Sequence, residues 1–167
     1  MQIESIRSVA YFEGVLREAI HDLKYRGRTV LAEPLGDLMA AYWLHHGQPV
    51  DVVVPVPLHP TRLQERGYNQ AGLLARHMAR RVGLAVNDCV LMRHRATLPQ
   101  VELDASQRRE NVYAAFSCSG DALAGTRVLL VDDVCTTGAT LESCAVALRE
   151  GGARSVYALT LARPRQQ

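Results

Sequence analysis

Four apolar residues, Val128-Leu129-Leu130-Val131, run straight into two adjacent carboxylates, Asp132 and Asp133, and then into Val134-Cys135-Thr136-Thr137-Gly138-Ala139-Thr140. An apolar, β-branched run without polar alternation suits a strand buried on both faces. Beyond it, Gly138 and the hydroxyl residues mark a tight turn, and Ala139 to Arg149 has helical spacing that ends at Gly151 and Gly152. A doubly buried strand that passes directly into a helix belongs to a parallel sheet with helices on its faces, because parallel neighbours need crossover connections. In such sheets ligands collect at the carboxyl ends of strands. One segment thus sets both the fold class and the place to look for chemistry.

The remaining elements agree with this α/β reading. Val52 to Val54, closed by Pro55 and Pro57, is a second buried strand; Cys89 to Met92 and Phe116 to Cys118 are shorter ones, and Ser155 to Leu161 is the last. Amphipathic spacing puts helices from Tyr11 to Leu23, from Pro34 to Gly47, and from Asn69 to Val82. Two helices therefore precede any strand, giving a helical segment over residues 1–48 and a core over 49–167 within one compact domain. The Pro-, Arg- and Gly-rich stretch before Asn69 reads as loop. Arg93 to Asp104 also reads as loop, followed by a short helix from Ser106 to Asn111.

Composition limits the partners. With 48% hydrophobic residues in 167 the chain is not disordered, and no apolar run approaches the ~20 residues needed to cross a bilayer. Met1 to Ala10 lacks the basic-then-apolar order of a secretory signal, so membrane insertion is not expected and a cytoplasmic location is. Nineteen basic residues against seventeen acidic ones leave +2, too little for bulk polyanion binding, so an anion site must be local. Between Arg62 and Arg109 nine arginines meet four acids, a local +5. Lys24 is the only lysine, a bias toward arginine that reads first as genomic. No cysteine pair has metal or redox spacing, and Cys89, Cys118 and Cys144 read as small, buried, reduced side chains.

The turn after Val131 has a specific chemistry. Successive N–H groups of a tight turn and of a helix start form a concavity for an oxyanion, to which Thr136, Thr137 and Thr140 add hydroxyls and Gly138 adds close approach. No lysine follows Gly138 and no G-x-G-x-x-G follows a strand, which excludes both familiar nucleotide loops and leaves a single phosphate. Asp132 and Asp133 would repel that phosphate but suit hydroxyls or magnesium. A phosphate a few ångströms from a vicinal diol describes a ribose 5-phosphate.

These thirteen residues resemble the phosphoribosyl-diphosphate (PRPP) binding motif of type I phosphoribosyltransferases. The run from Val54 to Gln70, together with Thr97, Gln100, Arg109 and Asn111, resembles the ComF branch of that family, associated with bacterial competence; the likeness spans roughly Leu23 to Arg163. It implies the type I phosphoribosyltransferase fold, with the N-terminal helices as a hood. It also implies transfer of phosphoribosyl from PRPP to an unidentified nitrogen acceptor, with diphosphate released and Mg2+ assisting. By the same resemblance Asp132 and Asp133 hold the ribose hydroxyls and, directly or through the ligand, the metal. Cys135, Thr136, Thr137, Gly138, Ala139 and Thr140 cradle the 5-phosphate, and Leu58-His59 forms the diphosphate loop, where family members often carry a cis peptide. Arg62 is the first candidate to neutralise the leaving group, and Arg93 and Arg95 are lid candidates. Family members usually begin with a zinc ribbon, and no cysteine precedes Cys89 here, so the resemblance leaves two expectations: a ribbon lost from the N-terminal side, which the family-like Lys24-Tyr25-Arg26-Gly27 favours, or a form without one. A homodimer and contact with DNA-uptake machinery are further expectations, and the alternative function is a PRPP-binding or docking module without turnover.

Overall fold

The computed structural model describes residues 1–94 and 115–165. Five strands form a wholly parallel sheet in the order β1-β7-β6-β2-β3, with β1 Ser5–Tyr11, β2 Val52–Pro55, β3 Ala85–Val86, β6 Arg127–Val134 and β7 Ser155–Arg163. The helices are α1 Gly14–Tyr25, α2 Ala32–His46, α3 Pro60–Arg66, α4 Gln70–Val82 and α5 Ala139–Glu150. None of the described helices is long and apolar enough to cross a membrane.

Side chains alternate along β6 as a strand's period of two requires. Val128 and Leu130 enter one core with Leu141, Cys144 and Leu148 of α5, whereas Leu129 and Val131 enter the other with Leu23 of α1, Met39 of α2 and Leu74 and Met78 of α4. The central strand is thus covered on both sides, which is why its sequence has no polar alternation. α2 and α4 meet closely at Gly36: a Cβ there would lie 2.6 Å from His77 Cβ and 3.3 Å from the Leu74 carbonyl.

Several expectations are corrected. A strand, β1, comes before the helices and joins the main sheet at its edge beside β7. Its polar Arg7 and Ser8 hide the usual apolar pattern, and what stabilises it is parallel pairing with residues about 150 positions away, including Ser8 Oγ against Thr160 Oγ1 at 2.7 Å. The loop before Asn69 contains α3, started by Pro60 with His59 as its N-cap and stopped by Gly67. The strands read at 89–92 and 116–118 are β4 Leu91–Arg93 and β5 Phe116–Cys118, and they form a separate antiparallel ribbon instead of joining the sheet. Cys89 is exposed and Cys118 only half-buried; Cys144 alone of the three is buried. The short helix read at 106–111 lies outside the described residues.

Candidate active site

β6 ends at Val134, so Asp132 and Asp133 still belong to the strand and project to opposite sides of the sheet. Asp133 follows Leu129 and Val131 toward the helices α1, α2 and α4. It is 3% exposed, its Oδ1 accepts from the Val134 N–H at 2.9 Å, and Lys24 Nζ lies 2.8 Å from its Oδ2. Lys24 is the one partner of Oδ2 among the described residues. Burial pulls the pKa of the Lys24 ammonium down, but the charges of Asp133 and Asp132 outweigh it and raise the pKa overall.

Asp132 follows Leu130 toward the α5 side, and its Oδ1 accepts from the Asp133 N–H at 2.9 Å. Burial, and next the charge of Asp133, push its pKa well above the ordinary carboxylate range, with Lys24 opposing. Arg93, at the end of β4, stands near it with Cζ 5.3 Å from the Phe116 ring; burial lowers the Arg93 pKa, and the charge of Arg62 lowers it further.

These groups share a pocket of about 270 Å³. Its lining brings Asp132, Asp133 and Thr140 together with Leu58, His59, Arg62, Lys24, Arg66 and Arg93. Leu58 and His59 follow β2, the immediate neighbour of β6, so sheet order alone brings the two loops together. Their N–H groups have no acceptor among the described residues. The peptide expected in the cis form between them is trans, as are all peptides in the described residues. His59 Nδ1 accepts from the Thr61 N–H at 3.3 Å, which orients this ring.

The turn from Cys135 to Ala139 lies beside the pocket rather than on its wall. Gly138, the N-cap of α5, has φ +81°, a left-handed conformation that favours glycine, and a Cβ there would meet Ile6 Cδ1 at 3.2 Å. Thr136 and Thr137 are exposed and their N–H groups have no acceptor among the described residues, while Thr137 Oγ1 accepts weakly from the Ala139 N–H at 3.4 Å. Burial raises the pKa of the Cys135 thiol, the opposite of what a nucleophile needs. Arg95, and the motif residues Thr97, Gln100, Arg109 and Asn111, lie outside the described residues.

Two contributors were not singled out from sequence. Lys24 comes from the last turn of α1, and Gln70, 5% exposed, accepts a hydrogen bond from Arg66. The usable signal for Lys24 was its rarity: in a chain that otherwise places arginine at every basic position, a lone lysine marks a spot where a compact ammonium fits and a guanidinium fork does not.

Residues 63–167 match the family model described as the phosphoribosyl transferase domain. Competence protein F of Haemophilus influenzae is 38% identical over 115 residues, 68% of this chain and 50% of that protein. The DNA utilization protein YhgH of Escherichia coli K12 is 33% identical over 161 residues, 93% of this chain and 70% of that protein. Competence protein ComFC of Bacillus subtilis is 30% identical over 94% of this chain and 63% of that protein. The chain therefore spans between half and about two thirds of the length of these relatives. Among solved structures, the glutamine PRPP amidotransferase of B. subtilis superposes with a TM-score of 0.55 at 21% identity, covering 78% of this chain and 26% of that one. Adenine phosphoribosyltransferase of Leishmania donovani gives 0.51 at 12%, covering 86% and 68%. A parallel sheet with acids ending its central strand and a glycine-led helix behind them defines a phosphoribosyltransferase-type protein. The chain belongs to the phosphoribosyl transferase domain family, on the branch that includes competence protein F, ComFC and YhgH.

Proposed function

We propose that the protein binds PRPP in this pocket and transfers its phosphoribosyl group to a nitrogen acceptor, releasing diphosphate. The observation that carries the reading is the make-up of one cavity, whose lining brings the acids Asp132 and Asp133 together with the cations Arg62, Arg66 and Arg93. A ligand with a diol beside a diphosphate has a group for each of the two sets. In this reading the carboxylates of Asp132 and Asp133 accept from the ribose hydroxyls. The turn from Cys135 to Thr140 holds the 5-phosphate through N–H groups and hydroxyls. The Leu58 and His59 N–H groups and Arg62 stabilise charge that grows on the departing diphosphate, a contribution that acts where the transition state differs from the ground state.

Magnesium suits this arrangement as an ion carried by the diphosphate. Among the described residues no three side chains form a ligating cluster, and Asp133 is already paired with Lys24. Asp132 is the other acid of the pocket, and magnesium is commonly held by one or two carboxylates plus substrate phosphates. Bound there, the ion would neutralise the leaving group. A link to DNA uptake extends the same proposal and is drawn from the relatives' names; a cytoplasmic setting and a homodimer are further proposals that rest on the family resemblance and the sequence alone.

Calorimetry with PRPP and magnesium tests the binding, and diphosphate release in the presence of pooled bases and amines tests the transfer. Binding that is lost in Asp133→Asn, with release above that variant's background, is expected. Binding without release would transfer the protein to the non-catalytic sensor or docking reading; no binding would remove both.

A further inference from the structure

We infer that an open hollow beside the main pocket is the acceptor subsite, and that it takes a nitrogen nucleophile bearing a carboxylate or phosphate; this rests on the phosphoribosyl reading above. The hollow, of about 280 Å³, runs between the end of α1 and the end of α3 and is bordered by Tyr25, Glu65, Arg66 and Tyr68 together with Lys24 and Arg62. Lys24, Tyr25, Arg62 and Arg66 line both spaces, so a molecule in the hollow lies next to one in the main pocket.

Its charge selects the ligand. Lys24 is paired with Asp133, which leaves two arginines, Arg62 and Arg66, facing one acid, Glu65, so an anion is favoured over an ammonium. The cationic ledge is already built. Arg66 stacks with Cζ 5.5 Å from the centroid of the Tyr25 ring, and it donates to Gln70, whose side chain is buried in α4. Tyr68 Oη donates to the Leu23 carbonyl and ties the base of the hollow to α1. A guanidinium has five N–H donors, and Gln70 uses one, which leaves paired donors for an oxyanion. Stacking fixes the plane of this fork before the ligand arrives, so little rotamer entropy is lost on binding.

The chemistry balances with PRPP as the second reactant. The nitrogen lone pair forms the new bond to the anomeric carbon as the bond from that carbon to the diphosphate oxygen breaks. The bonding electrons leave with diphosphate, and the proton of the nitrogen passes to solvent. Arg62, which lines both spaces, offers positive charge to both anionic groups.

The probes are 3-aminobenzoate and 3-aminophenyl phosphate against the neutral 3-aminobenzamide, titrated calorimetrically into the full chain with PRPP and magnesium present. One or both anions should bind about tenfold tighter than the amide, and which of them does so identifies the oxyanion. Arg66→Gln should bring the ratio to about one, and Glu65→Gln, which removes the opposing charge, should raise anion affinity roughly threefold. PRPP binding with equal affinity for all three probes overturns the inference while leaving the PRPP reading intact, as does an anion preference unchanged in both variants. Failure of PRPP itself to bind overturns the reading beneath it.

Discussion

Asp133 and Lys24 lie 109 positions apart and form an ion pair whose side chains are 4% and 24% exposed. Removing one partner of such a pair leaves a charge in a poorly solvated place. Lys24→Met is therefore expected to cost ~3 kcal/mol, and Asp133→Asn a similar amount, while the double variant costs clearly less than their sum. Urea melts of the four proteins check this, and strict additivity would remove the pair as a coupled unit. The sign with pH follows from the raised Lys24 pKa: its contribution is complete below the ordinary lysine value of 10.5 and disappears as pH climbs through the folded value. The alkaline loss of stability should be shallower in Lys24→Met. The aspartates were legible in the sequence because a strand-to-turn junction is a local pattern. Lys24 was not, because its role depends on where α1 docks, and no neighbouring residue records that.

At the scale of elements, the helix starts and stops were readable wherever a residue acts on its own backbone. Asn69 caps α4, with its side chain accepting from the Ala71 N–H at 3.1 Å, and Gly83 ends that helix in the left-handed region. α3 was missed because its seven residues are too few for a periodic signal, although Pro60 after a capping residue was there to be read. Contact between elements is harder to read. Gly36 looks like an unwelcome glycine inside α2, yet it is where α4 crosses. Gly36→Ala should gain ~1 kcal/mol of helix propensity and lose more to overpacking against His77, for a net destabilisation of about 1–2 kcal/mol. A thermal melt should show this as a fall of roughly 2–8 °C. A similar test applies where β2 and β6 begin: the Arg127 guanidinium and N–H, hydrogen-bonded to Asp51, pull its pKa from the ordinary 3.8 to about 2. The stability this provides is present above pH 4 and lost as pH falls toward 2. In Arg127→Leu, the Asp51 carboxyl resonance should titrate in the ordinary carboxylate range.

Across the whole molecule, the parallel sheet and the end of it that carries the candidate site were legible because β6 alone demands cover on both faces. The position of β1 was not, since an edge strand at one end of the chain is fixed by its partner at the other. The same central strand that organises the fold also holds its least comfortable group. Asp132 is an acid whose pKa burial and Asp133 push above the ordinary carboxylate range. Stability attributable to it therefore falls as pH rises from about 4 toward that raised value. Its carboxylate is useful only to a ligand that supplies hydroxyls or a metal, so fold and function make opposite demands on one side chain. Asp132→Asn should melt at a higher temperature than the wild type at neutral pH, and this gain should shrink as pH is lowered toward 4. The same variant should bind PRPP roughly 10- to 100-fold more weakly, the loss expected when a charged acceptor of hydroxyl hydrogen bonds is removed. A variant that is less stable at neutral pH, or one that keeps full PRPP affinity, would show that Asp132 is a structural residue of the sheet and not part of the ligand's grip.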